Sequence, residues 1–444
     1  HTRFKCDWSS DVCSSDLNGI QAVDRLVAAS SSVPKNGLGS PAQDARAYAF
    51  GYMSLGWALG GLAMAYDSAA IVTPATKSDE VPALSGYKDV AAMALKMLDS
   101  AIFWATSPNV ANGSNGFPLP STWINGNPLS ATQFVALARS QKARIRAGIA
   151  RTPADRAAVD WNSVIADAQA GITSDFVITM SVSAGWSGST PYDLGQMYAQ
   201  GWHGLPALMI GMADTSGAYA QFIATPFATR DGNFLIRTPD LRFPQGATRA
   251  AQQADTPTPL PAPRYIKNRP SGDDVPQAGY GSSNYDYRRW APVSQNSGNG
   301  TWVQLPKTEL DMLVAEGKIR AGDFAGAATL IDVARAKHGL PSIGTITTAS
   351  QKIAGGNACV PKVPQAPGFN TVDCGTILEA MKWEKRLETA YSCAFICWYV
   401  DSRGWGDLPE GTALQWPVPY QEMDARIRPY YGMAGQTTKG TYGW

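Results

Sequence analysis

Nineteen consecutive residues, Tyr48 to Tyr66, carry no charge, and this run limits what the chain can fold into. A stretch of that kind is either a membrane span, which needs about 20 apolar residues, or a helix enclosed in a large helical core. It holds Gly56-xxx-Gly60, a spacing that lets helices approach closely, but also four glycines, a serine and three tyrosines, so its hydropathy is modest. Asp44 and Arg46 precede it closely and Asp67 follows at once. A buried helix explains these features better than a span does. From Ala42 to Ser68, Ala45, Tyr48, Ala49, Tyr52, Leu55, Leu59 and Leu62 recur three and four apart, the period of one helix face.

The same period continues along the chain. It predicts helices over Val90 to Thr106, Ala131 to Ile149 and Trp161 to Ile172, the last two separated by a turn at Pro153. Lys307 to Arg320 and Phe324 to His338 form another pair around Ala321-Gly322-Asp323, and one long helix is expected from Ile377 to Val400. Strand alternation is weak, so the class is mainly α. In two places an acidic residue precedes an aromatic at a helix start, Asp160-Trp161 and Asp323-Phe324, with small residues following. That is tetratricopeptide logic, an aromatic wedge beside a close-packed small face, and it is equally the logic of ordinary antiparallel helix pairs.

Charge sets limits on function. Lys and Arg number 37 against 36 Asp and Glu, with no basic run, so no electrostatic footprint for nucleic acid exists. Charged residues make up only 16% of the chain, below the roughly 25% of an average soluble domain, while Trp and Tyr number 14 and 17. Such a surface suits neutral ligands such as sugars. Residues 1–17, with Asp7-Trp8-Ser9-Ser10-Asp11-Val12-Cys13 at their centre, look like the translation of a sequencing adapter. They are set aside as an artefact segment, and any native leader or lipidation site is expected to be missing with them.

Outside that segment, four cysteines and two histidines remain. His203 and His338 are too few and too distant for a His-rich metal site, and no HExxH occurs, so neither metal nor cofactor is expected. Cys359 and Cys374 flank a Pro/Gly-rich loop and are placed to close it as a disulfide in an oxidising compartment. Cys393 and Cys397, four apart on the expected last helix, read as two small buried apolar residues. No GxSxG, Walker A, GxGxxG or EF-hand motif is present. Glu384 and Glu388 lie one turn apart among Lys382, Lys385 and Arg386, which reads as a solvated or ion-paired face rather than a glycosidase pair facing across a sugar. No catalytic residue is assigned.

Between about 181 and 304 the helical pattern gives way to irregular chain rich in aromatics. Sugars are held by aromatic faces with planar polar groups alongside. The expected ligand residues are therefore Trp186, Tyr192, Trp202, Asn284, Tyr285, Tyr287, Arg288, Trp290 and Trp302, with Asn284 to Trp290 as the centre.

An ordered set of segments resembles the SusD/RagB family. Asp44-Ala45-Arg46 to Tyr52 is similar to that family's early "E-A-R-x-x-R-A-x-x-Y" helix, and Thr308 to Asp323 resembles its helix pair. Val333 to Pro341 is similar to "N-x-V-R-x-R-A-G-L-P", and Ile377 to Glu388 to "I-L-x-E-R-x-x-E-L". Trp398 to Gly406 is similar to "W-x-D-x-R-R-W-G", with Ser402-Arg403-Gly404 in place of a paired Arg, and Trp416 to Asp424 to "L-P-I-P-x-x-E-I-D". The resemblance covers most of residues 40 to 430. It implies one SusD-like domain over 18–444, a tetratricopeptide-like α/α superhelix at about 18–180 and 305–444 overlaid by the loop-rich 181–304. It further implies an outward-facing outer-membrane lipoprotein that captures oligosaccharide or another nutrient for a SusC-like TonB-dependent transporter. In that role it is a binding protein, not an enzyme, with Trp398 and Trp405 in the scaffold core. An all-α glycosidase or lyase, and a helical-repeat array that holds a partner protein, remain the alternatives.

Overall fold

A computed structural model describes residues 40–77, 80–106, 116–124, 126–181, 204–255, 264–272, 282–296, 299–392, 397–430 and 435–444. Along the chain run helix α1 (Pro41–Ala65), strands β1 (Ser68–Ala70) and β2 (Leu84–Gly86), and helices α2 (Tyr87–Thr106), α3 (Ala131–Gly148), α4 (Pro153–Ala157) and α5 (Trp161–Gln169). Then come β3 (Phe176–Met180), β4 (Gly204–Pro206), α6 (Ala207–Ile210), α7 (Ala218–Ala224), α8 (Arg249–Ala254), β5 (Ile266–Asn268), β6 (Ser282–Tyr287), α9 (Ala291–Gln295) and β7 (Gly300–Leu305). The chain continues with α10 (Lys307–Arg320), α11 (Phe324–Lys337), β8 (Lys362–Pro364), β9 (Val372–Cys374), α12 (Ile377–Thr389), α13 (Cys397–Trp405) and α14 (Tyr420–Ala425). The fold is mainly α, as the periodicity predicts.

These elements form two compact units. The first joins residues 1–176 to 395–440, and the second joins 177–394 to 441–444. Residues 305–394, expected in the scaffold with the N-terminal helices, thus cluster with the loop-rich stretch. They do so because α10, α11 and α12 pack on one another around side chains that pair with residues 240–290.

In the first unit α1 starts at Ser40, whose hydroxyl accepts from Gln43 N at 3.2 Å, and packs along α2 and against α3. Its glycines serve those contacts. A Cβ at Gly56 would lie 2.8 Å from Leu98 Cγ, and one at Gly60 would collide with Ile145 Cδ1. The uncharged run is therefore a buried helix, and no described helix is long and apolar enough to cross a membrane. A capping box between Ser130 and Gln133 opens α3, and Asp160 caps α5 on Ser163 N. Asp167 on α5, 2% exposed, joins α5 to α3 through Arg139 at 2.8 Å and Arg146 at 2.9 Å.

Two buried guanidiniums close this unit. Arg151 donates to the carbonyls of Met64, Ala63 and Tyr66 at 2.9, 2.8 and 2.8 Å, satisfying the open C-terminal end of α1. Arg403 of α13 donates to Met64 O, Gly148 O, Ala150 O and Leu414 O. Asp401, two residues earlier, pairs with Arg156 at 3.2 Å, and Arg156 lies over the rings of Trp161 and Trp405. Trp405 is buried and Trp398 half-buried, so the former is core and the latter lies at its margin.

In the second unit β4, β6 and β5 form an antiparallel sheet with β6 central, in register Ile266↔Tyr287 and Asn268↔Tyr285. Asp323 caps α11 on Gly326 N at 2.9 Å, as its counterpart Asp160 caps α5. Phe324 stays half-exposed, whereas Trp161 is enclosed. Cys359 and Cys374 are joined as a disulfide across 15 residues, beside the β8–β9 pair. Two expectations need correction. The helix expected from Ile377 to Val400 ends at Thr389, because Ala390 is extended and Tyr391 turns left-handed at φ 57°. Cys397, read as a free buried thiol, is disulfide-bonded, and its expected neighbour Cys393 lies outside the described residues.

Candidate functional site

Of the nine expected ligand residues, Trp186, Tyr192 and Trp202 lie outside the described residues. Tyr285 and Tyr287 are 1% exposed and Trp290 and Asn284 6%, so the expected centre of the site has no ring face open to a ligand. The stretch expected as the centre of the ligand set is thus enclosed in the fold. β6 is the central strand of its sheet, and its side chains are spent on neighbours. Tyr285 Oη donates to Gln252 Oε1 at 2.7 Å, and Tyr287 Oη donates to Ala390 O at 3.1 Å. Burial pushes the Tyr285 phenol up to about 12 and raises that of Tyr287 further. Arg288 and Trp302 keep partial exposure, with Trp302 Nε1 donating to Tyr391 O at 3.0 Å.

Behind β6 lies an ion network that the sequence reading placed in part on a solvated face. Asp240 pairs with Arg242 at 2.7 Å, and Arg242 reaches Glu384 at 2.9 Å and Glu388 at 3.6 Å. Arg335 faces Glu384 at 3.6 Å, and Arg289 faces Glu388 at 3.5 Å. His338 Nε2 sits 2.7 Å from Glu388 Oε1, and Tyr265 Oη donates to Glu388 Oε2 at 3.2 Å. All eight of these residues, Tyr265 included, are under 9% exposed. Burial pushes the Glu388 carboxyl up, but Arg289, the His338 hydrogen bond and Arg242 outweigh it and hold the group at about 2. For Glu384 burial wins over Arg242 and Arg335, and its carboxyl is raised. Glu384 and Glu388 are thus ion-paired as expected, yet enclosed rather than solvated, and they share one set of cations instead of facing each other across a cleft.

Exposed aromatic surface appears elsewhere, in the first unit. Trp123 is 38% exposed on a turn in which its N–H donates to Pro120 O at 3.0 Å. Its ring meets Phe50 of α1 at 5.0 Å and 50°, and the Arg46 guanidinium lies 5.4 Å from its centroid. Arg46 Nη1 holds the turn by donating to Gly116 O at 2.5 Å and Pro118 O at 3.2 Å. Gly116 is left-handed at φ 73°, and a Cβ there would collide with the carbonyl of Ala42, so only glycine lets this segment lie against α1. Ser121 and Thr122 are exposed beside the indole. An aromatic face, hydroxyls and a guanidinium in one place can stack on a pyranose and bond its hydroxyls. The sequence cue was present: Ser121-Thr122-Trp123-Ile124-Asn125-Gly126-Asn127 sets an aromatic among small polar residues, but it lies outside the stretch searched for ligands.

No protein-family model matches the chain, and no curated protein is significantly similar to it in sequence. Among solved structures it is similar to a SusD homolog from Parabacteroides distasonis, with a TM-score of 0.52 at 14% identity over 92% of this chain and 76% of that one. The fold is SusD-like. Two further structures align with this SusD-like chain. One is a SusD-like carbohydrate binding protein from Bacteroides vulgatus, with a TM-score of 0.47 at 11% identity over 91% of this chain and 72% of that one. The other is a SusD superfamily protein from Bacteroides thetaiotaomicron, with a TM-score of 0.46 at 12% identity over 89% and 74%. At 14% identity the likeness to the Parabacteroides distasonis structure establishes the SusD-like fold and nothing finer.

Proposed function

We propose that this chain is a SusD/RagB-type surface protein that binds oligosaccharide and passes it to a TonB-dependent transporter of the SusC kind. In this reading it sits outward on the outer membrane, held by a lipid anchor upstream of the described residues, and performs no chemistry. The observation that carries the binding role is the Trp123 platform, an exposed indole braced by Phe50 and Arg46 with hydroxyls beside it. Arg288 and Trp302, the two half-exposed members of the second-unit set, are proposed to contribute from there. The SusD-like fold and the ordered motif resemblance support the family and, through it, the partner and location. The carboxylate pair that an enzymatic reading would use, Glu384 and Glu388, is committed to buried guanidiniums.

Calorimetry against a panel of oligosaccharides, with a reducing-end assay on every ligand that binds, tests this reading. Binding without turnover, weakened about two- to tenfold in Trp123→Ala at unchanged melting temperature, is the expected result, since an aromatic stacking contact is worth about 0.5–1.5 kcal/mol. Turnover of any ligand would replace the binding role with an enzymatic one. Binding that ignores Trp123→Ala would remove the platform from it.

A further inference from the structure

The first unit exposes a second aromatic group, far in sequence from Trp123. Tyr420 is 62% exposed and Tyr430 63%, on and just after α14. Trp416, 46% exposed, lies nearby in the chain with its ring edge-on to Tyr66 at 5.8 Å. Tyr420 and Asp424 lie one turn apart on α14, and the hydrogen bond to Asp424 raises the Tyr430 phenol. Tyr430 Oη donates to Asp424 Oδ1 at 2.5 Å, which leaves Oδ2 of that exposed carboxylate to accept from a ligand.

What brings Tyr430 back to Asp424 is the way α14 ends. Arg428 N donates to Met423 O at 2.9 Å and Ile427 N donates to Asp424 O at 3.0 Å, the paired bonds of a Schellman turn. The left-handed position of that turn normally takes glycine, but here Ile427 holds it at φ 53° and is 93% exposed. A β-branched residue in this conformation costs about 1–2 kcal/mol. Buried Met423 and the Arg426 bond to Pro82 O at 2.6 Å fix the turn in place against that cost. The result is a turn that seats Tyr430 on Asp424, one helical turn along from Tyr420.

We propose that Tyr420, Asp424 and Tyr430 form a second carbohydrate-binding surface for neutral glycan, independent of the Trp123 platform. This rests on the glycan-binding reading above. The phenol faces stack on the C–H surface of a sugar ring, and the free Asp424 oxygen accepts from vicinal hydroxyls. An uronate would meet the Asp424 charge and is disfavoured. Both surfaces belong to one compact unit, so one long glycan has two points of attachment to it.

The test uses the full chain with soluble starch, xyloglucan, galactomannan, laminarin and polygalacturonate as probes, first by affinity electrophoresis. Short oligosaccharides of each glycan that binds are then titrated by calorimetry. The wild-type chain is expected to bind a neutral glycan with two sites per chain. The double variant Tyr420→Ala/Tyr430→Ala and Trp123→Ala should each leave one site, and each should weaken retention on the polymer at least tenfold, since bivalent attachment commonly adds a factor of 100 or more. Asp424→Asn should weaken the second site alone. The substituted side chains are exposed, and Ile427→Gly, which keeps the turn and both tyrosines, should retain both sites as the folding control. One site per chain, lost in Trp123→Ala and untouched by the tyrosine double variant, would overturn this inference and leave the binding role standing. Failure of every probe to bind would overturn both, and tighter binding of polygalacturonate than of the neutral glycans would overturn the assigned ligand class.

Discussion

Arg151 and Arg403 both donate to the same backbone oxygen, Met64 O, at 2.9 and 2.6 Å. Two like charges converge on the end of α1 because the negative end of a helix dipole, together with five further carbonyl contacts, rewards them there. The cost is visible in Arg403, whose guanidinium is lowered to about 9 by burial and then by repulsion from Arg151.

Removing Arg403 strands the carbonyls of Gly148, Ala150 and Leu414 at once and leaves Met64 O to Arg151 alone. Arg403→Met is expected to lower stability by about 2–4 kcal/mol, read by chemical denaturation. Arg403→Lys should recover little of it, because one ammonium cannot span acceptors that the guanidinium reaches through three nitrogens. Full recovery by lysine would show that charge alone, not fork geometry, is what matters here.

Acid should act on the second unit through Glu388. Its folded carboxyl at about 2 lies below the ordinary 4.5, so the folded state binds fewer protons than the unfolded state across that window. The contribution, on the order of 3 kcal/mol, is complete above pH 4.5 and fades as pH falls toward 2. Glu388→Gln is expected to be less stable at pH 7 and to show a flatter acid limb between those values. Parallel limbs in the two proteins would refute the assignment.

Adjacent glycines on α1 should respond in opposite directions. Gly60→Ala pushes a methyl into Ile145 and should cost about 1–3 kcal/mol. Gly61→Ala meets nothing within 4 Å and should gain up to about 1 kcal/mol from the lower entropy of the unfolded chain. Thermal melts of the two variants separate packing from propensity.

At Ile427 the gain should come from released strain. Ile427→Gly is expected to raise stability by about 1 kcal/mol, because the left-handed turn suits glycine and the lost side chain buries almost nothing.

The Cys359–Cys374 bridge closes 15 residues, and Cys359→Ser/Cys374→Ser should lose about 3 kcal/mol by the chain-entropy argument. Urea midpoints of the variant, and of the wild type under reductant, would check it.

Helix existence was legible where a long helix buries one face, as α2 does with Val90, Ala91, Ala94, Leu98 and Ala101, because that period survives in sequence; α12 is buried nearly all round. The break after Thr389 was not, since Ala390 and Ser392 before it and Cys397 and Val400 after it are all buried, so the apolar pattern runs on through the turn. The burial of Asn284 to Trp290 escaped the sequence for a related reason. Asn284 to Trp290 looks polar and aromatic, as a sugar site would, but its charges answer partners far along the chain, such as Arg289 to Glu388, 99 residues away. A local window cannot reveal that. Trp123 satisfies the same local criterion and also meets distant partners, Phe50 and Arg46, yet its ring stays 38% exposed.

Because the first unit joins stretches on both sides of 177–394, it cannot close before the chain has been made past residue 395. The carbonyls that Arg403 covers at Gly148 and Ala150 stay open until a ribosome has passed residue 403. The second unit likewise awaits Tyr442, whose hydroxyl donates to Glu379 and accepts from Arg386. A product that stops short of residue 403 is left with both halves unfinished, an open target for proteases.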